Sequence, residues 1–515
     1  MKKDYLKKRI HFIGVGGISM SALAAYTLSE CTVSGSDIRF NALMKKLRGG
    51  GAYVYEGRDG DIAASASAVV YTSAIKSDDS ELAAARNAGV PCVKRSEYLA
   101  SVAAAHGKCV AVGGIHGKST TTALLAAVFK NAGMSFSAHV GAEAVDIGGN
   151  YFGGGRDLFV TEACEYMGSF LTLEPDVAVV LNVEMDHPDC YENENCVSLN
   201  FRRFAERIKK GGTLVVNADE KYAGLYAGLD ADVVTFGIEK GDYSARNVRP
   251  SPCKGRYMFD FFIGGEYVGE VDCALSGAHN IYNALACAAA ALLSGADRRS
   301  VLYTLENFRG VKRRFERIGR YGGCEIISDY AHHPSEIGAV VKSARETFGG
   351  KVSVCFQPHT YSRTAKLFEE FKECFADADA LVLYKEYSAR ETPDCGRSAY
   401  DLYEAMREYS VYEITGGGNS KGNSDVIAAE YSACGESGDG ADGIAEGCRS
   451  CAMSDGSESE NNPRETGSDG KKTKPSVLYA GEINELRSLI RERAKDSSCI
   501  LLLGAGDMAE DVGGL

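Results

Sequence analysis

The chain has 515 residues, 45% of them hydrophobic and 25% charged, with a formal net charge of −13. That length asks for about three domains rather than one core, and the composition is that of an ordinary globular chain, not a disordered or fibrous one. The acidic balance argues against nucleic acid or an anionic membrane as a general partner, and no apolar run is long enough to span a bilayer.

The opening, MKKDYLKKRIHFIGVGGISMSALAAY, has the basic end and apolar continuation of a signal peptide. Glycines interrupt the apolar part, so strand, tight turn and helix is the better reading, and the chain is expected to be cytosolic. Its 17 cysteines are scattered through hydrophobic runs such as KVSVCFQ and are read as reduced, buried small residues. Cys448 and Cys451 form a CxxC in a polar stretch, with no second pair or nearby histidine to complete a zinc set.

Short strands alternate with helices over the first ~100 residues, the pattern of a doubly wound α/β unit. RIHFIGVG, CTVSGSD and ASAVVYTSAI read as strands; SMSALAAYTLSE and the stretch from Ser80 to Ala88 read as helices. Gly14-x-Gly16-x-x-Ser19, with Asp37 near the end of the next strand, has the spacing of a dinucleotide fingerprint except that serine replaces the third glycine. Alone it would suggest NAD with Asp37 on a ribose. Its plainer content is a helix N-terminus ready for a diphosphate.

A second α/β unit begins at His106. In KCVAVGGIHGKSTTTALLAAVFKNAG, a strand and a helix flank Gly113-Gly114-Ile115-His116-Gly117-Lys118-Ser119-Thr120. Glycines let successive N–H groups turn toward a phosphate chain, Lys118 can reach its terminal phosphates, and the Ser119 hydroxyl can ligate Mg²⁺. The usual form of this loop has glycine where Val112 stands. Glu162 (with Glu165 close behind) and the pair Asp186-His187 end two further apolar strands, where hard ligands for Mg²⁺ are expected. A β-rich stretch near 231–272 precedes an Ala-rich helix closed by Gly295. His279 and Asn283, with Asn280 beside them, begin that helix and could read a purine edge or cap it.

A third unit starts near Arg313, with CEIISDY, KVSVCFQ, ALVLYKEY and SCILLLGAGD as strands. Asp329-Tyr330-Ala331-His332-His333-Pro334 follows a strand, and Pro334 is placed to open a helix. The adjacent histidines point in different directions, a poor bidentate metal site. His359 and Arg363 share one face if their segment is helical, where they could hold a carboxylate. The polar stretch 416–474 is read as an insertion too poor in large apolar residues to order itself.

Together HFIGVGGISMSALA, GGIHGKSTTT, TEACEYMGSF, NVEMDH, GAHNIYNALA, GVKRRFE, DYAHHPSE, FQPHTYSRT, YSARETPD and the terminal GAGD closely resemble the Mur ligases of peptidoglycan synthesis, in family order. The resemblance implies a Rossmann-like UDP-sugar domain at 1–106, a central P-loop ATPase-type α/β domain with an added β-rich part at 107–312, and a Rossmann-like amino-acid-binding domain at 313–515 carrying the insertion. It implies an ATP- and Mg²⁺-dependent ligase acting on UDP-N-acetylmuramate and L-alanine, as a monomer or homodimer.

Carried over by motif, Gly14, Gly16, Gly17, Ser19, Asp37 and Ser73 hold the UDP-sugar, with no NAD. The loop 113–120 with His279, Asn280, Asn283, Arg313 and Asp329 binds ATP. Ser119 and Glu162 serve one Mg²⁺ and His187 a second; Tyr330, His332 and Arg363 position L-alanine; Lys118, Glu162, His187 and His332 are the expected catalytic set. Ile115 and Ser119 stand where the family usually has threonine, and TEACEY replaces EADES, with Tyr166 in place of serine.

Overall fold

Three sheets, each dominated by parallel pairing, carry the chain in the structure, a computed structural model that describes residues 8–187, 190–389, 391–392, 396–414 and 475–512. The stretch 416–474, with Cys448 and Cys451, lies outside the described residues.

In the first sheet β1 (Arg9–Ile13), β2 (Thr32–Asp37), β3 (Tyr53–Glu56), β4 (Ala68–Tyr71) and β5 (Cys92–Lys94) are parallel, in the order β3-β2-β1-β4-β5. Helices α1 (Ile18–Leu28), α2 (Ala42–Gly49), α3 (Gly60–Ala64), α4 (Ser80–Asn87) and α5 (Arg95–Ala104) accompany them. Strand order reverses at β1, so the loop after β1 opens at the switch point where such sheets bind ligands. β3 and β5, only four and three residues long, were not distinguished in the sequence: so few residues carry no readable period.

The second sheet holds β6 (Lys108–Gly113), β7 (Phe136–Ala144), β8 (Gly149–Gly153), β9 (Leu158–Glu162), β10 (Val177–Val180), β11 (Thr213–Asn217), β12 (Asp232–Ile238), β13 (Tyr243–Pro250), β14 (Tyr257–Ile263) and β15 (Glu266–Asp272). Their order is β15-β14-β13-β12-β11-β10-β6-β9-β7-β8. Helices α6 (Lys118–Asn131), α7 (Glu194–Ala205), α8 (His279–Leu293) and α9 (Arg298–Asn307) accompany it. The β-rich stretch expected near 231–272 is β12 to β15, whose last two pairings are antiparallel.

Side chains alternate across a strand, and this sheet is covered on both faces. Val110, Val112, Val177, Val179 and Val215 join the residues of α6 and α8 in one core, while Cys109, Ala111, Ala178, Val180, Leu214 and Val216 join Phe201 and Phe204 of α7 in another. Both faces being apolar explains the near-continuous hydrophobic runs. The alanines of α8, buried from Ala284 to Ala291, let it approach α6 and the sheet closely. The α7-side core continues into Phe12, Leu23 and Tyr26, so the first two units share apolar packing.

The third sheet holds β16 (Glu316–Tyr321), β17 (Cys324–Asp329), β18 (Val352–Phe356), β19 (Ala380–Tyr384), β20 (Ser476–Ala480) and β21 (Cys499–Leu503), in the order β16-β17-β21-β18-β19-β20. All pairings but β16 with β17 are parallel. Helices α10 (Pro334–Phe348), α11 (Tyr361–Lys366), α12 (Phe368–Glu373), α13 (Ala399–Ile414), α14 (Ile483–Arg493) and α15 (Met508–Asp511) complete the unit. No helix of the described residues is long and apolar enough to cross a membrane.

Candidate active site

The loop between β6 and α6 is built on two glycines that no other residue could replace without strain. Gly114 has φ +139 and Gly117, the N-cap of α6, has φ +85. A Cβ on Gly114 would come within 2.9 Å of Leu181 Cβ, and one on Gly117 within 2.3 Å of Asn283 Oδ1. Val112 is fully buried in β6, so the missing loop glycine is a strand residue here and the turn starts after it.

Lys118 opens α6, and its Nζ donates to Gly114 O at 2.6 Å and Ile115 O at 2.9 Å. The same Nζ pairs with Glu165 Oε2 at 2.9 Å, while Glu165 Oε1 lies 3.2 Å from His187 Nε2. Burial alone would depress the Lys118 ammonium, but the Glu165 carboxylate outweighs it and raises the group above its usual value. Burial likewise works against the Glu165 carboxylate, which Lys118 and His187 pull below the usual range. Glu165, reached in the sequence only as a neighbour of Glu162, is thus the group that joins two of the expected catalytic residues. Its signal was present: a second acid among Ala, Cys and Tyr in TEACEY, hard to bury without a partner.

Glu162 ends β9, and its carboxylate accepts from Gly141 N. A Cβ at 141 would sit 2.6 Å from both carboxylate oxygens, so a larger residue there would push the Glu162 carboxylate aside. His187, at φ +54, faces the Tyr166 ring with centroids 4.9 Å apart. Tyr166, which departs from the family's serine, therefore packs on a candidate ligand.

A cavity of about 980 Å³ opens beside this loop. Of the residues expected to bind ATP, His116, Gly117, Thr120, His279, Asn280, Asn283 and Asp329 line it. Asn283 Nδ2 donates to Asn280 Oδ1 and Asn280 Nδ2 to Ser276 O, fixing both amides at the start of α8. Asp329 accepts from Phe315 N and Ala331 N, yet its burial prevails over these bonds and over Arg314, leaving its pKa at about 6. Arg313 is not among the lining residues. Its guanidinium donates to Gly504 O and Gly506 O and lies over the Tyr330 ring, whereas Arg314, the next residue, faces the cavity.

His116 is clasped from both sides: its Nε2 lies 3.0 Å from Glu184 Oε2 and its Nδ1 2.9 Å from Glu336 Oε1. Burial opposes the imidazolium, but Glu336 and Glu184 together push it up to about 9. The carboxylates come from the loop after β10 and from the first turn of α10, and sequence spacing alone could not bring them together.

His333 caps α10 and Pro334 is its first residue, as the proline implied. His332 turns elsewhere: its Nδ1 donates to the Tyr330 carbonyl at 3.0 Å, leaving Nε2 with a lone pair. Burial and the Arg363 guanidinium push His332 down to about 4. The expected shared helical face of His359 and Arg363 is corrected by the structure, because α11 starts at Tyr361 after Thr360 at φ +70. The two side chains still meet, Arg363 Nη1 standing 3.0 Å from His359 Nδ1. Arg363 also takes a carboxylate of the chain itself, with Nε and Nη2 donating to Asp186 Oδ1 at 3.0 and 2.9 Å.

At the N-terminal turn, Gly14 has φ +83 and abuts Thr72, so Ser73 lies in the loop beside it. Asp37 accepts from Gly16 N at 2.8 Å and Asn41 donates to Gly16 O, which holds the turn open ahead of Gly17, the N-cap of α1. Ser19 reaches across to His139 Nε2 at 2.9 Å and accepts from Arg95.

The chain that forms these sheets and the phosphate loop at the cavity edge matches three family models in succession. The Mur ligase family catalytic domain matches residues 9–106, the Mur ligase middle domain 112–291, and the Mur ligase glutamate ligase domain 313–429. This chain belongs to the Mur ligase family. Within it, the chain is 41% identical over 403 residues to the UDP-N-acetylmuramate–L-alanine ligase of Lachnospira eligens, covering 77% of this chain and 88% of that one. It is 38% identical over 411 residues to the enzyme of the same name from Clostridium acetobutylicum, covering 79% and 90%. The solved UDP-N-acetylmuramate–alanine ligase of Thermotoga maritima superposes with a TM-score of 0.73 at 25% identity, over 98% of this chain and 97% of that one.

Proposed function

We propose that this chain joins L-alanine to the carboxylate of UDP-N-acetylmuramate at the expense of ATP, in the cytoplasmic synthesis of peptidoglycan precursors. The observation that carries the reading is the chain Lys118–Glu165–His187, joining the start of α6 to the loops after β9 and β10, beside a cavity lined by the start of α8. Residues 1–106 take the UDP-sugar, 107–312 the ATP, and 313–515 the amino acid.

A carboxylate is a poor electrophile, so it first needs a leaving group. The muramate carboxylate oxygen attacks the γ-phosphorus of ATP, forming an acyl phosphate and releasing ADP. The alanine amine then attacks the carbonyl carbon, the amide bond forms, and phosphate leaves. Lys118 shifts from the Glu165 and loop carbonyl oxygens toward the transferred phosphoryl group and neutralises its charge. Neutral His332 presents Nε2 as the acceptor for a proton of the alanine ammonium, freeing the amine to attack, and Arg363, fixed by Asp186, stands beside it to position the amino acid.

The Ser119 hydroxyl and the Glu162 carboxylate are hard oxygen donors, and the cradle at Gly141, which a Cβ would fill, leaves Glu162 its position. They would hold one Mg²⁺ and His187 a second, and the bound ions would polarise the phosphoryl oxygens.

Phosphate release from ATP tests the reading, with UDP-N-acetylmuramate, Mg²⁺ and each of L-alanine, glycine and L-serine, beside Lys118→Ala. Release that needs both the UDP-sugar and L-alanine and disappears in the variant supports it. Folded protein that releases phosphate only with a preformed peptide acceptor would replace it.

A further inference from the structure

His116, Glu184 and His333 come from three separate stretches: the phosphate loop, the loop after β10 and the N-cap of α10. Their ligating atoms nevertheless lie within 4.8 Å of one another. His116 Nε2 is 3.0 Å from Glu184 Oε2, and His333 Nδ1 is 3.9 Å from Glu184 Oε1. Bonds of about 2.0–2.2 Å to a tetrahedral ion place neighbouring donors roughly 3.4 Å apart. The observed separations lie on either side of that value.

The far nitrogens add an independent observation. His116 Nδ1 stands 2.9 Å from Glu336 Oε1, and His333 Nε2–H donates to the Met185 carbonyl at 3.1 Å. A histidine that ligates a metal is held in just this way, its second nitrogen donating to a carboxylate or carbonyl that fixes tautomer and ring plane. Both histidines have such a partner. His116 Nε2 faces Glu184 directly, whereas His333 Nδ1 lies 3.9 Å from that carboxylate and 2.8 Å from the Ser335 hydroxyl, whose residue it caps, and would exchange that partner for an ion. The Ser335 hydroxyl lies among all three, 3.2 Å from His116 Nε2, 3.0 Å from Glu184 Oε2 and 2.8 Å from His333 Nδ1, in the place an ion would take.

We propose that His116, Glu184 and His333 form a binding site for a zinc-class divalent cation, separate from the positions assigned above to Mg²⁺. Two imidazoles and one carboxylate suit Zn²⁺ or Co²⁺, whereas Mg²⁺ selects oxygen donors. Three protein ligands leave a coordination position open, the mark of an exchangeable site rather than a structural one. Glu184 is 40% exposed and lines the cavity, which supplies the entry path. The proton shared by His116 with its carboxylates is the ion's competitor, and binding releases it. An ion there would tie the phosphate loop to the first turn of α10, joining the second unit to the third and slowing any turnover that needs them to part.

The test adds Co²⁺ alone to the full chain and reads its visible absorption and stoichiometry, without ATP or UDP-sugar, so its outcome is separate from that of the ligase reading. Seventeen cysteines offer a rival route, which would announce itself by thiolate-to-cobalt charge-transfer bands. The expected result is one Co²⁺ per chain with the bands of a four-coordinate nitrogen and oxygen site, weakened roughly tenfold or more in both Glu184→Gln and His116→Gln. Circular dichroism establishes that each variant is folded. Thiolate bands, binding undiminished in the two folded variants, or no binding at excess Co²⁺ would each overturn the proposal.

Discussion

Lys118 Nζ and Glu165 Oε2 stand 2.9 Å apart with side chains 15% and 2% exposed, and Glu165 extends the pairing to His187. The lysine proposed to meet phosphate is thus held on a buried carboxylate. Glu165→Gln leaves the Lys118 charge with only two carbonyl oxygens, and losing one partner of a buried pair costs about 3–5 kcal/mol. Urea denaturation is expected to show that loss, with part of it recovered in the double variant Glu165→Gln/Lys118→Met. A loss below about 1 kcal/mol, the size of an exposed pair, would contradict the buried pairing.

Asp186 and Arg363, each 5% exposed, form the corresponding link between the second and third units. Burial opposes the Asp186 carboxylate, yet Arg363 and His187 hold its pKa well below the ordinary value of 3.8. A depressed carboxylate stabilises the fold fully above its unfolded pKa and loses that contribution as pH falls toward the folded one. The stability gap between the native chain and Asp186→Asn should therefore narrow as pH drops below about 4. Equilibrium urea titrations at several acid pH values read the gap directly, and a constant gap would refute the linkage.

The His116 imidazolium has the opposite sign. Its folded pKa, pushed to about 9 from an ordinary 6.5, gives a contribution that is complete below the unfolded value and fades as pH rises through the folded one. Stability should decline between about pH 6.5 and 9 in the native chain, and the decline should be shallower in His116→Gln. Parallel declines in the two proteins would mean that Glu184 and Glu336 do not hold that proton.

Gly117→Ala asks a left-handed residue at φ +85 to carry a Cβ 2.3 Å from Asn283 Oδ1. Strain of this kind costs about 1–3 kcal/mol, and Asn283 must move. The KM for ATP is expected to rise roughly tenfold or more, as a binding loss of about 1.4 kcal/mol gives. Gly133→Ala, also left-handed at φ +65 but facing open space, should leave KM unchanged.

What the sequence made legible was local. A glycine turn, a lysine at a helix start and an acid at a strand end are each set by neighbours in the chain, and the loop 113–120 and Glu162 stand where those patterns put them; Asp186 and His187, expected at a strand end, lie in the loop after β10, which stops at Val180. What escaped it was pairing between distant segments. Glu165 matters because Lys118 folds back onto it, Glu336 because α10 brings it to His116, and Arg363 because Asp186 awaits it across 177 positions. The choice between Arg313 and Arg314 turns on a backbone twist, Arg313 lying at φ +56, which no residue spacing encodes. The hairpin of β7 and β8 was likewise hidden, since its pairing shifts register between His139 and Ala144 and its second strand begins and ends in glycine.

The place of β21 in the third sheet bears on how that unit comes to exist. Cys499–Leu503 is the last of the described strands in chain order, yet it lies between β17 and β18, paired with both. Until it arrives, two strands made more than 140 residues earlier have no common neighbour and expose the apolar edges it will cover. A chain cut before Cys499 would lack the strand that joins β17 to β18, so its third sheet would fall into two unconnected parts while the first two sheets would keep all their strands.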